Sequence, residues 1–111
     1  MEKRRHPRVD CTFQVSCQTF ENNKTAFNNI NSKNISISGV LLQAANEGKV
    51  GADIVVKFMI PTSGDKILAK GKVVRVRKMN GDKFEIGVQF INIREKDLDM
   101  VKKYIENKAK A

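Results

Sequence analysis

Four apolar side chains at every second position, Phe84, Ile86, Val88 and Phe90, constrain this chain more than any other feature. A period of two puts them on one face of a β-strand, with Glu85, Gly87 and Gln89 on the other. The same period recurs upstream. Phe13, Val15 and Cys17 alternate with Gln14, Ser16 and Gln18, and Ile54, Val56, Phe58 and Ile60 share a face until Pro61 stops them. Residues 67–78 form a long strand with a change of phase. Ile67, Ala69 and Val73 fall on one parity and Val74 and Val76 on the other, and Gly71 near the slip marks a bulge or bend.

Turn chemistry separates these runs. "ENNK" at residues 21–24, "ANEGKVG" at 45–51, "TSGD" at 62–65 and "NGD" at 80–82 are rich in Asn, Gly and Asp, which tolerate tight backbone geometry. Residues 25–30 begin a second strand, a polar patch interrupts it, and residues 35–43 read as one strand with Gly39 inside. At residue 94 the period changes. Leu98, Val101 and Ile105 lie at helical spacing with Met100 and Tyr104 beside them, so residues 94–108 should hold one amphipathic helix. Glu95 and Asp97 at its start and lysines near its end suit the helix dipole. The expected fold is mostly β: about six short strands, antiparallel because hairpins join them, then one helix. A strand with a bend favours closure into a barrel.

Composition narrows the function classes. At 111 residues the size prior is one domain, and with no Trp the core must be aliphatic with six Phe. Twenty-one Lys and Arg against twelve Asp and Glu leave a net charge of +9, which attracts nucleotides, nucleic acid or an acidic membrane face. Lys102, Lys103, Lys108 and Lys110 place part of that surplus at the C-terminus, where it reads as a solubilising tail. Cys11 and Cys17 fit no zinc ligand set and read as free thiols in a reducing compartment. No apolar run approaches the roughly 20 residues of a membrane span, and no signal-peptide core follows the basic start, so a cytoplasmic protein is expected. Catalysis is not expected. His6 is the one histidine, it sits among arginines, and the acids are scattered with no pair at a catalytic spacing.

Two stretches could carry binding chemistry. Arg4, Arg5 and Arg8 surround Pro7, which disfavours helical geometry at His6. In an extended segment Arg4 and Arg8 point the same way, about 13 Å apart. A guanidinium fork pairs two donors with phosphate oxygens or with the O6 and N7 edge of guanine, so guanine nucleotides satisfy both. In "NISISGV", Asn34 and Ser36 alternate with Ile35 and Ile37, and the amide and hydroxyl would leave one strand face together, their Cα atoms about 7 Å apart. Gly39 lets something approach the backbone. Asn34 and Ser36 also fit a plain strand leaving a turn. Arg75 and Arg77 read as a solvated strand face.

R-x-x-x-R followed about thirty residues later by N-x-S-x-x-G, in a strand-rich chain, resembles the PilZ domain family. "VGADIVVKFMIP", "AKGKVVRV" and "EIGVQFINI" look like its later strands. The resemblance implies a six-stranded antiparallel β-barrel with a C-terminal α-helix. Residues 1–9 would be an arginine loop, 10–93 the barrel and 94–108 the helix. It implies no metal or cofactor, and a receptor for cyclic di-GMP, a bacterial second messenger. Carried over, Arg4 and Arg8 would grip phosphates and guanine edges, Asn34 and Ser36 would hydrogen-bond the ligand, Gly39 would leave room, and Arg5 could assist. In that family a basic residue before the motif goes with a stacked ligand pair, so Lys3, Arg4 and Arg5 point to two ligands. The ligand would order the arginine loop. With three residues before Arg4, the signal is expected to pass to a separate protein partner or to a second copy, making a homodimer. The alternatives are a nucleic-acid-binding barrel, which needs exposed stacking aromatics, and a PilZ-like protein-interaction module without nucleotide.

Overall fold

The computed structural model describes residues 7–19, 24, 26–27 and 30–110. Seven strands and a helix follow in chain order: β1 (Val9–Asp10), β2 (Val15–Thr19), β3 (Asn31–Ser36), β4 (Gly39–Ala44), β5 (Asp53–Met59), β6 (Lys66–Lys78), β7 (Phe84–Ile93) and α1 (Glu95–Lys110). The strands form one antiparallel sheet in the order β1-β3-β4-β7-β6-β5-β2. The mostly β fold with its terminal helix is as expected.

The expected six-stranded closed barrel is corrected to seven strands in a sheet that does not close. The physical cause lies in residues 9–19. Their first part runs along β3, through the β1 pairing of Val9 with Ile35 and a bond from the Cys11 N–H to the Lys33 carbonyl. Their second part, β2, pairs with β5. One stretch of chain therefore serves both edges of the sheet, and an isolated bridge from Gln14 to Asn31 touches across the gap. Across that gap the Ser32 hydroxyl takes the Phe13 N–H at 2.7 Å in place of a backbone carbonyl, while the Ser32 N–H donates to the Phe13 carbonyl at 3.3 Å. On the other side of β3, its pairing with β4 skips Lys33, a bulge between Ser32 and Asn34.

Two other strand expectations change. Residues 35–43 are not one strand but a tight hairpin, with Ser36 opposite Gly39 and Ile37 and Ser38 in the turn. The Ser36 hydroxyl accepts the Ser38 N–H at 3.1 Å, which bends the chain locally. Among residues 25–30 the described ones are not strand, which begins only at Asn31. Ala26 instead docks on β2, its N–H donating to the Cys17 carbonyl at 2.8 Å, while the Asn46 side-chain amide donates to the Ala26 carbonyl at 3.0 Å. The phase change in β6 is present, with register shifts at Lys70/Gly71 and at Val73/Arg75.

The inward faces of the strands meet in an aliphatic core around Ile35, Leu42, Ile54, Val56, Val73 and Ile86. Cys11 and Cys17 are buried thiols within it, and burial pushes Cys17 up to about 12. Helix α1 closes the core with Val101, Tyr104 and Ile105. Phe13 lies between Phe58, stacked at 5.2 Å, and Tyr104, tilted at 5.2 Å. Leu98, expected on the buried stripe, is half-buried, as is Met100 beside it. Asp97, expected as a surface dipole partner, is 3% exposed. Its carboxylate accepts the Leu68 N–H, which lies beyond the end of the β6–β7 ladder, at 3.3 Å. The helix thereby supplies an acceptor to a backbone donor that the β6–β7 ladder does not reach. Among the described residues no helix is long and apolar enough to cross a membrane.

Candidate functional site

The pairing of β1 with β3 sets Asp10 opposite Asn34, so the chain entering β1 passes directly beside that side chain. Arg8 lies on this entry, and its Nη1 donates to Asn34 Oδ1 at 2.7 Å. The two sequence motifs, 26 residues apart between these positions, meet at this bond. Ile35 is buried in the core, which turns Asn34 to the outer face of the sheet. Arg4 and Arg5 lie outside the described residues.

Ser36 and Gly39 stand differently from the expectation of an exposed polar strand face. Ser36 is 1% exposed, with its hydroxyl 2.8 Å from that of Ser38 and bonded to the Ser38 N–H. A Cβ on Gly39 would run into the carbonyl oxygen of Val88 in β7. The two residues therefore build the hairpin that ends beside Asn34, and Gly39 lets β7 approach.

Register exposes a feature the sequence reading missed. Asn34 is opposite Leu41, Leu41 opposite Gly87, and Gly87 opposite Arg75. These four form one row across the outer face, and the missing side chain of Gly87 leaves a shallow floor between Leu41 and Arg75. Arg75 is exposed, and among the described residues it forms no ion pair, whereas Lys72 holds Asp53 at 3.3 Å and Arg77 holds Glu85 at 2.8 Å. Finding this row from sequence would have required the bulge at Val74, which shifts Arg75 into line. Arg77 is thus part of an ion pair rather than a simple solvated cation.

Glu85 is buried beside the row, and Lys33 Nζ lies 3.3 Å from its second oxygen. Burial alone would raise its pKa, but the Lys33 hydrogen bond and the Arg77 charge outweigh it and hold the carboxyl below its ordinary 4.5. A lowered folded-state pKa means stability that is complete above pH 4.5 and lost as pH falls through the folded value. Glu85→Gln should therefore lower the urea midpoint at neutral pH, and the gap from the parent should narrow in acid. An equal gap at both pH values would remove the ion pairs as its cause.

A family model for the PilZ domain matches residues 2–107. Among solved structures, the Bacillus subtilis inhibitor of motility, MotI/DgrA, aligns with a TM-score of 0.81 at 18% identity over 98% of this chain. This chain spans about half of that protein, 52% of its length. The PilZ domain of YcgR from Escherichia coli, solved with c-di-GMP, aligns with a TM-score of 0.73 at 11% identity, covering 98% of this chain and 93% of that one. At such identities the likeness is one of fold. Among curated proteins no sequence match is found. Since the family match runs over nearly the whole length, the chain belongs to the PilZ domain family.

Proposed function

We propose that this chain is a receptor for cyclic di-GMP that passes the level of the messenger to a partner protein. The observation that carries the reading is the bond between Arg8 and Asn34, which joins the arginine segment to the polar strand. Family membership supports it, as does the c-di-GMP named with the YcgR domain. In this reading the Arg8 fork takes a phosphate or a guanine edge and the Asn34 amide bonds the base or phosphate. The row from Asn34 to Arg75, about 14 Å over three strand spacings, gives a surface long enough for a dinucleotide. Ser36 and Gly39 act by holding the hairpin that presents Asn34. Arg4 and Arg5 would add charge from the preceding segment. Ordering of that segment over the sheet would create or remove the partner surface.

A nucleic-acid role has less support, because among the described residues no aromatic side chain is exposed. Calorimetric titration with cyclic di-GMP tests the proposal, with saturable binding as the expected result and a stoichiometry of one or two read directly. Arg75→Ala should weaken that binding about fivefold, the loss of one partly solvated charged contact. Absence of any binding heat or competition would leave a PilZ-like protein-interaction module instead.

A further inference from the structure

The outer face of the β5–β6 pair carries a second charged surface that shares no residue with the row described above. Phe58 and Ile67 point inward to the core, so their neighbours Lys57, Met59, Lys66 and Leu68 point outward. Register arranges these four as a checkerboard: Lys57 is opposite Leu68 and Met59 opposite Lys66. Met59 is 50% exposed and Leu68 47%, two of the five large apolar side chains exposed among the described residues. All four line an open pocket of about 900 Å³, together with Arg94 and the polar Gln14, Ser16 and Asn31.

Every charged residue lining this pocket is a cation. Among the described residues Lys57 and Lys66 form no ion pair, and Arg94 faces only Asp97, at 3.5 Å. We infer that this surface docks an acidic segment of a partner protein, one that carries aliphatic side chains beside its carboxylates. Charge complementarity selects the acids: a concave site walled by cations concentrates negative charge. The apolar diagonal selects the aliphatic groups, since two half-exposed side chains gain by leaving water. Spacing fits an extended peptide. Diagonal neighbours across an antiparallel pair are about 7–8 Å apart, and carboxylates two residues apart on an extended chain are separated by about 7 Å. The concave, mixed surface also fits a peptide better than a flat lipid face. The inference does not depend on cyclic di-GMP binding.

Fluorescence anisotropy tests it with a short fluorescein-labelled peptide, Leu-Ser-Asp-Ser-Asp-Ser-Leu, whose Asp and Leu side chains share one face when extended, and a counterpart with Asn in place of Asp. The acidic peptide should bind saturably at about 0.15 M ionic strength, where long-range attraction is screened. Lys57→Ala with Lys66→Ala should weaken it roughly tenfold, and Leu68→Ser should weaken it too. Lys102→Ala with Lys103→Ala, which removes the same charge from the exposed helix face, should change nothing, and the Asn peptide should not bind. All substituted side chains are exposed, so melting midpoints should match the parent. Three results overturn the inference: no saturable binding, equal loss from both lysine pairs, or inert peptides beside anionic phosphatidylserine vesicles that bind through Lys57 and Lys66. Equal loss would mean general attraction to the +9 chain.

Discussion

Arg8→Ala should weaken cyclic di-GMP binding at least tenfold while leaving the fold's stability almost unchanged. The two effects separate because Arg8 is exposed and its bond to Asn34 lies on the outer face. A solvated polar contact of this kind contributes little to folding. Toward an anionic ligand the same guanidinium contributes roughly 1.5–3 kcal/mol per charged hydrogen bond, and about 1.4 kcal/mol is a tenfold change. Arg8→Lys should fall between parent and Ala, because it keeps the charge and loses the planar fork. Amide hydrogen exchange gives a second readout, with protection at residues 8–10 and 34–39 rising together when ligand is added. Calorimetry at fixed salt checks the affinities. Equal binding by parent and Arg8→Ala would place the ligand elsewhere on the molecule.

Gly39→Ala should destabilise the fold by roughly 3 kcal/mol, a severe loss for one methyl group. The new Cβ would meet the Val88 carbonyl and crowd the Gln89 Cα at 3.2 Å, so two adjacent strands would have to part. Backbone groups of a paired strand cannot move aside as a flexible side chain can. Gly81→Ala is the control. Its glycine has a φ of 72° and open space around it, so only left-handed backbone strain is added, costing about 1 kcal/mol. Urea denaturation of the two variants should rank them clearly. If Gly39→Ala folds as stably as the parent but loses cyclic di-GMP, the glycine serves the ligand, as its place in the motif suggested.

Much of the fold was legible because strand and helix periods are written in local side-chain order. The alternation around Ile86, the phase slip near Gly71 and the helical stripe of Val101 and Ile105 all stand in the structure. The hairpin at Ile37 and Ser38 was hidden because Ile35 and Ile37 continue an alternating pattern straight into the turn. Ser36 looked exposed for the same reason, and its burial follows from that turn. Asp97 looked like a surface acid because nothing near it in the chain announces the Leu68 N–H that it accepts.

By itself, then, the order of residues determined which apolar side chains face inward along β2, β5 and β7 and which two polar motifs the chain carries, since side-chain direction is a local property of the backbone. Tertiary structure alone decided which strands are neighbours and in what register, because hydrogen bonds between distant segments set both. That register brings Arg8 to Asn34, lines Arg75 up with Gly87, and sets Lys57 and Lys66 diagonally about two exposed apolar side chains.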